Sequence, residues 1–323
     1  MTLSVTNPAP IHITSSEMNV GIINRSASSK QNSTLDAIDK VLSAEGRNLD
    51  KLGSNNAVLG LKTELEKNNQ IKNVKVIDSS KFLSNGLSLF PEAITWDKAE
   101  QLCRQNKIET IFELSFFDTD AKVDYKTSTT QLTNAFGLKI PMIEHQATIN
   151  TLIKTGWRIY YPKEKIIIDE HTTTDNVVLS GKGINPMSAL EAILGRKEAV
   201  LNISTRIGEN YALQLLPYNI RVSRDYYVKG TNNFEIAKRR AQTGNWDGAA
   251  ELWEKEVSNP DGKIAGRACY NMAIINEING NLDKAVEWAS KSYADYGDKL
   301  ALHYVNLLKN RISKNKQLES QKN

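Results

Sequence analysis

The chain of 323 residues is 40% hydrophobic and 24% charged, which is typical of a folded protein with room for two domains. Its formal net charge is only +4, and no basic face interleaved with aromatic residues accompanies the C-terminal lysines, so we do not expect nucleic-acid binding. No run of about 18 apolar residues occurs, so no membrane-spanning segment is predicted.

Strands and helices alternate through the first part of the chain. Residues 1–15 have no helical period, and Pro8 and Pro10 favour an extended segment. Beyond it, apolar patterns predict strands at 20–23, 74–78 and 110–117, and helices at 35–42, 58–67 and 95–106. Ser33 or Thr34 could cap the first helix. The alternation favours an α/β layer structure whose sheet is at least partly parallel.

The pattern changes after residue 117. Residues 118–146 are rich in Ser, Thr and Asp and lack a clear period, so we expect a long excursion in the form of a mobile hairpin. Residues 147–161 and 165–179 alternate on either side of a turn at Pro162, which predicts an antiparallel pair and a mixed sheet. One long helix is predicted from Pro186 to Leu215, bent at Gly195, followed by a strand at 218–228.

Two segments of the C-terminal part are nearly the same. Residues 243–253 read TGNWDGAAELW, residues 279–289 read NGNLDKAVEWA, and the shared positions have one offset of 36. An offset of this length is typical of stacked helical hairpins, among which tetratricopeptide units have a period of about 34. The residues that define the repeat are Gly244, Trp246, Ala249, Trp253, Gly280, Leu282 and Ala285. The other interpretation is an ordinary helical bundle in which the two segments are similar by chance.

Each repeated residue type suits a place in such a hairpin. Gly244 and Gly280 are predicted to lie in the turn between two antiparallel helices, and glycine tolerates the left-handed conformation of a helix end. The paired alanines would lie where two helices approach closely, and Trp246 and Leu282 would fill the wedge between hairpins. Two hairpins are fewer than the roughly three that a free-standing array needs, so we expect the tail to dock on the α/β domain.

These elements predict an α+β or α/β fold, in which a mixed-sheet N-terminal domain precedes a helical hairpin tail. The expected parts are an extended segment at 1–15, a mixed-sheet domain at 16–230, a tetratricopeptide-like domain at 231–316 and a disordered tail at 317–323.

No catalytic, cofactor-binding or metal-binding residue is predicted. None of the four histidines has the spacing of a metal motif, and no nucleophile elbow or phosphate-binding glycine motif is complete. Cys103 and Cys269 fall in segments predicted as helices of different domains, so we expect two buried thiols and no disulfide.

Residues 232–316 resemble tetratricopeptide repeats. The whole chain resembles an uncharacterised family of Bacteroidota cell-envelope lipoproteins, in which an α/β domain precedes a G-x-W-x-x-A-x-x-x-W tail, here Gly244, Trp246, Ala249 and Trp253. The resemblance implies a location in the cell envelope, facing the periplasm or at the surface of the outer membrane. It also implies a lipid anchor on a cysteine before Met1, and no known activity.

Two hypotheses of function follow. The first is a non-enzymatic envelope lipoprotein whose tail binds protein partners, needs no cofactor and contacts the membrane only through its lipid anchor. The alternative is a small-ligand-binding protein or enzyme with a site in the α/β domain, using residues 118–146 as a lid. The alternative requires polar or titratable residues that converge near the carboxyl ends of the strands.

Overall fold

The computed structural model describes residues 1–13, 18–26, 37–78, 90–133, 137–193 and 195–321. The chain forms two compact units. The sheet unit comprises Ile11–Leu215, and the helical unit comprises Met1–Pro10 together with Leu216–Asn323. The predicted fold class, a mixed-sheet region followed by helices, is confirmed. The division at Leu215 differs from the predicted boundary near residue 230, and it assigns residues 1–10 to the helical unit.

A five-stranded mixed sheet forms the centre of the sheet unit. Its strands are β2 (Met18–Asn24), β3 (Ile71–Ile77), β4 (Thr110–Thr133), β5 (Lys139–Tyr161) and β6 (Ile166–Gly183). Their order is β3-β2-β4-β5-β6. The strands β3, β2 and β4 are parallel, whereas β5 runs antiparallel to both of its neighbours. The prediction of a partly parallel, mixed sheet is therefore confirmed.

The predicted excursion at 118–146 is not separate from the sheet. Its residues continue the strands β4 and β5, which pair without interruption from Phe116 opposite Gly156 to Thr133 opposite Lys139. The prediction of a hairpin was right, but the prediction that these residues leave the sheet was wrong. Threonine suits a strand, yet the outer part of this hairpin buries few side chains, so it has no apolar alternation to reveal it.

In the described part of the sheet unit, four helices accompany the sheet: α1 (Ala37–Leu65), α2 (Trp96–Asn106), α3 (Pro186–Glu191) and α4 (Arg196–Leu213). The two helices predicted at 35–42 and 58–67 are one helix from Ala37 onward, because Leu49, Ala57 and Leu61 are buried in the core and sustain it. The cap predicted at Ser33 or Thr34 lies outside the described residues. The single bent helix predicted after Pro186 is two helices, since Gly195 has φ +76° and cannot continue a right-handed helix.

A close helix crossing and a buried hydrogen-bonded carboxylate add to the core packing that holds α1 in place. Its Gly60 and the Gly208 of α4 lie where the two helices cross, and a Cβ on either would overlap the backbone of the other helix, near Thr205 and Ala57. Asp50, 3% exposed, accepts hydrogen bonds from the N–H and Oγ1 of Thr119 on β4, at 2.8 and 2.6 Å. A buried carboxylate with two donors fixes the helix against the strand.

The helical unit begins with a two-stranded sheet. The strand β1 (Thr2–Asn7) pairs antiparallel with β7 (Tyr218–Ser223), from Thr2 opposite Ser223 to Asn7 opposite Tyr218. The segment predicted as extended is thus a strand over six of its residues. The strand predicted at 218–228 ends at Ser223, and its partner is β1 in a sheet of its own.

Five helices complete this unit: α5 (Asn232–Gln242), α6 (Trp246–Glu254), α7 (Gly262–Ile278), α8 (Leu282–Ala294) and α9 (Lys299–Ser320). Residues 317–320, expected to be disordered, belong to α9. The side-chain amide of Gln321 then exchanges two hydrogen bonds with the backbone of Ala9, at 2.9 and 3.1 Å. No helix among the described residues has both the length and the apolar character needed to cross a bilayer.

Candidate functional site in the helical unit

The two repeated turns have the same backbone geometry. Gly244 and Gly280 have φ +82° and +79°. The N–H of Asn245 donates to the carbonyl of Arg240 at 2.9 Å, and the N–H of Asn281 donates to the carbonyl of Asn276 at 2.8 Å. Each glycine N–H also donates to a carbonyl three residues back. This bonding defines the Schellman motif, so both hairpins close in the same way.

The other repeated residues lie in the interior or at its edge. Ala249 and Ala285 are fully buried in two neighbouring apolar clusters. Trp253 is fully buried, Leu282 is 8% exposed and Trp246 is half-buried. The rings of Trp246 and Trp253 lie 5.5 and 5.7 Å from that of Tyr226, between β7 and α5. All seven repeat-defining residues therefore shape the hairpins, and none of them lines the groove described next.

A groove of about 490 Å³ opens between α6, α7 and α8. Its lining residues are Glu254, Met272, Asn276, Lys284, Glu287, Trp288 and Lys291. Lys284, Glu287, Trp288 and Lys291 are spaced by three, four and seven positions along α8. This spacing places them on one face of the helix.

The groove has an apolar floor and a charged rim. Met272 is buried and Trp288 is half-buried, and Trp288 packs against both apolar clusters of the unit. The four charged residues are exposed, two acidic and two basic, and the ammonium of Lys291 lies 5.7 Å from the centre of the Trp288 ring. The ring of Trp288 and the thioether of Met272 can contact one apolar side chain of a bound peptide. The charged residues around them can pair with polar residues on either side of that side chain.

A buried ionic network supports the helices behind the groove. Glu277, 1% exposed at the end of α7, accepts hydrogen bonds from Arg224, from the hydroxyl of Tyr304 at 2.6 Å and from Arg311 at 2.7 Å. Burial opposes ionisation, but the bonds from Arg224 and Tyr304 outweigh it and lower the pKa of Glu277. Asn271, also fully buried, holds the backbone of Tyr227 with two reciprocal bonds at 2.7 and 2.8 Å.

The sheet unit has a polar cluster at the carboxyl end of β2, where β2 pairs with the first residues of β4. Glu113 on β4, fully buried, accepts from Arg25 at 3.0 Å, from Ser115 at 2.7 Å and from Tyr160 at 2.7 Å. Burial and the Glu113 charge raise the pKa of Tyr160 to about 12, so its hydroxyl remains a donor. Arg158 donates to Tyr160 and, at 2.7 Å, to Glu170.

The same cluster fastens an irregular segment that precedes α2. Arg158 donates to the carbonyl of Pro91 at 3.0 Å and stacks 4.5 Å above the ring of Phe90. The hydroxyl of Tyr160 accepts from the N–H of Ile94 at 3.1 Å. The charged groups of the cluster thus bond to one another and to this segment.

The described histidines and cysteines of the sheet and helical units do not form a metal or thiol site. His145 lies on β5 and His171 lies on β6. His171 is opposite Trp157, far along β5 from His145, so the two histidines do not face each other. Among the described residues, no three metal-ligating side chains come together. Both cysteines are free; Cys269 is buried as predicted, whereas Cys103 is only partly buried. Burial raises the pKa of each thiol to about 11. Thiols with this pKa are poor nucleophiles at neutral pH.

The sequence predicts the turns but not the groove or the Glu277 network. The spacing from Lys284 to Lys291 indicates one face of a helix, and Trp288 lies inside the repeated segment. Nothing in the sequence distinguishes Glu277 or Asn271 from the polar residues of an exposed helix face, because their burial depends on β7 and α9.

Comparisons with known proteins give two family matches and several solved structures with low TM-scores. A family model described as a domain of unknown function, DUF8603, matches residues 18–227, nearly two thirds of the chain. A second domain of unknown function, DUF6340, matches residues 235–310. The junction between these matches lies near the predicted boundary at residue 230. No curated protein matches the chain.

Among solved structures, the PelC dodecamer from Paraburkholderia phytofirmans is 11% identical, with a TM-score of 0.26, and the match covers 67% of this chain and 95% of that one. A neuraminyllactose-binding hemagglutinin homolog from Helicobacter pylori is 12% identical, with a TM-score of 0.24, over 62% and 90% of the two chains. TM-scores this low do not establish a shared fold. The DUF6340 model matches only part of the helical unit, whereas the family match over residues 18–227 shows that this chain belongs to the DUF8603 family of unknown function.

Proposed function

We propose that this chain is a non-enzymatic protein-binding protein of the cell envelope, and that the groove between α6, α7 and α8 holds a short segment of its partner. The observation that carries this proposal is the pairing of Met272 and Trp288 with four exposed charges around one opening. Partly exposed tryptophan is the residue type most enriched where binding energy concentrates in protein interfaces.

The size of the groove fits this role. A volume of about 490 Å³ lies within the roughly 300–1,000 Å³ that ligand sites occupy. It accommodates a few side chains of a peptide. Because both signs of charge stand on the rim, a segment with one apolar anchor between an acidic and a basic residue matches the groove best.

Peptide selection tests the proposal directly. A displayed peptide library is panned on the whole protein, and the peptides recovered are measured by isothermal titration. A variant with Lys284→Glu, Glu287→Lys and Lys291→Glu reverses three rim charges while leaving the floor intact. We expect binding at least about tenfold weaker, because each reversed rim charge then faces a peptide charge of the same sign.

A matched variant changes exposed charges on α9, namely Lys316→Glu and Glu319→Lys. It should bind the same peptides as strongly as the unmodified protein does. If the rim variant and the α9 variant bind alike, the groove is not the binding surface.

The envelope location and the lipid anchor are part of the same proposal, supported by the lipoprotein resemblance described above. Fractionation of cells that express the native gene tests them. The protein should sediment with membranes and be released by detergent but not by high salt. Recovery in the soluble fraction would contradict the anchor.

A second proposal is a small-ligand or enzyme site in the sheet unit. The Glu113 cluster favours it, because polar groups converge at the carboxyl end of β2, beside the residues of β4 that pair with that strand. The test is a thermal shift of the whole protein against a panel of small metabolites. A stabilising compound whose effect is lost in Ser115→Ala would support this proposal, and the absence of any shift would count against it.

A further inference from the structure

The outer end of the β4–β5 hairpin is a two-stranded ribbon. The strand β6 ends at Gly183, opposite His145. From Thr127 opposite His145 to Thr133 opposite Lys139, β4 and β5 pair with each other beyond the end of β6, and no third described strand continues the sheet there. This ribbon therefore extends past the packed core of the sheet unit.

The tip of the ribbon exposes large aliphatic side chains. Leu138 in the turn is 65% exposed, Ile140 is 50% exposed and Ile143 is 59% exposed. Side chains alternate along a strand, so Ile140 and Ile143 lie on opposite faces of the ribbon. Among the described residues near the tip, apolar side chains are thus exposed on both faces of the ribbon.

Positive charge lies beside this apolar tip. Lys139 is exposed at the tip, and Lys126 is exposed on β4 just before the ribbon begins. The nearby acids Asp124 and Glu144 are paired with Lys122 at 3.6 Å and with Lys182 at 2.7 Å. The apolar side chains of the tip therefore lie beside an excess of positive charge.

We propose that the tip of the β4–β5 hairpin, residues 137–143, inserts into the headgroup region of a membrane that contains anionic lipids. A surface that docks on a protein is apolar on the side that faces its partner, whereas this tip is apolar on both faces, as entry into a nonpolar layer requires. The lysines complement anionic headgroups. The open edges of the ribbon keep insertion shallow, because unpaired backbone groups cannot enter the hydrocarbon core.

The inference is independent of the groove on the helical unit, since it uses other residues of another unit. Vesicle flotation of the 323-residue chain, expressed without lipidation, tests it, with vesicles made of equal parts phosphatidylcholine and phosphatidylglycerol. We expect this chain to float with these vesicles and to float much less with pure phosphatidylcholine, because the charges of Lys126 and Lys139 are attracted to anionic headgroups.

Two variants separate the contributions of the tip. Leu138→Ser with Ile140→Thr and Ile143→Thr keeps strand-compatible side chains but removes the apolar tip, and should weaken binding at least about tenfold. Lys126→Gln with Lys139→Gln should remove the preference for phosphatidylglycerol. A control variant changes exposed aliphatic residues elsewhere, Leu59→Gln, Leu300→Gln and Leu302→Gln, and should float like the unmodified protein.

The proposal is overturned if the protein does not float with anionic vesicles, or if the tip variant and the control variant float equally. Light scattering gives one more decisive outcome. A concentration-dependent dimer that the tip variant abolishes, without vesicle binding, would show that a second copy covers the tip. Circular dichroism confirms that each variant is folded.

Discussion

Arg224 and Glu277 form a bidentate ion pair in which Nε and Nη2 of the arginine donate to the two carboxylate oxygens at 2.8 and 2.9 Å. The pair joins the residue after β7 to the end of α7. Bidentate pairs of this kind combine charge with fixed geometry. The carboxylate is fully buried, so removing its charge leaves two guanidinium groups without their partner.

Replacing the carboxylate should destabilise the helical unit strongly. We expect Glu277→Gln to lower the free energy of unfolding by about 3–5 kcal/mol, since breaking a buried pair leaves uncompensated charges in the interior. Urea denaturation followed by tryptophan fluorescence measures this. The exposed Glu319→Gln is the control and should change the free energy by less than about 0.5 kcal/mol. Equal stability of the two variants would refute a structural role of the pair.

The same carboxylate predicts how stability depends on pH. Its pKa is lowered in the folded protein, so its contribution is fully present above the unfolded value of about 4.3 and is lost as the pH falls through the folded value. The difference in unfolding free energy between the unmodified protein and Glu277→Gln should stay constant near neutrality and shrink in acid. Denaturation curves across a pH series measure it. A difference that persists unchanged in strong acid would contradict the lowered pKa.

The crossing of α1 and α4 should not tolerate a methyl group. We expect Gly60→Ala and Gly208→Ala each to lower the free energy of unfolding by about 1–3 kcal/mol, because the new Cβ meets rigid backbone. The double variant should cost less than the two single costs together, since one shift of the helices relieves both overlaps. Leu59→Ala, at the exposed position beside Gly60, is the control. Additive costs would mean that the two glycines act at separate contacts.

The two repeated turns should respond alike to one substitution. Gly244→Ala and Gly280→Ala place a Cβ in open space but in a left-handed conformation, so each should cost about 1 kcal/mol from backbone strain alone. Asparagine at either position should cost less, because it tolerates this conformation. Thermal denaturation measures the effect. Gly262→Ala, in the first turn of α7 with ordinary contact distances, should be neutral or stabilising. A loss at Gly262 equal to that at Gly244 would show that strain is not the cause.

Local elements were predictable where one residue type determines the backbone. The glycines at 244 and 280 revealed two turns with the same hydrogen bonds because no other residue adopts that conformation as readily. Apolar alternation revealed the inner parts of β4 and β5, where one face is buried. Apolar alternation gave no signal for the outer part of the hairpin beyond residue 117. Few side chains are buried there, so burial does not impose an apolar period on the sequence.

Contacts between distant residues were not predictable from the sequence. Glu277 and Asn271 have the character of solvent-exposed helical residues until β7 and α9 cover them. The groove likewise required three helices to meet around Trp288, and the spacing along α8 defines only one of its walls. The pairing of β1 with β7 has no signal in either strand, since any two short alternating segments are compatible with it.

That pairing has a consequence for the timing of synthesis. Thr6 and Asn219, which share a hydrogen bond across β1 and β7, lie 213 positions apart in the chain. At roughly 5–20 residues per second, β1 leaves the ribosome on the order of 10–40 s before its partner exists. Throughout that interval the sheet unit, which is encoded between them, can fold while β1 has no partner strand. A chaperone that shields this short strand during that interval would therefore affect the helical unit, although most of that unit is made after the sheet unit.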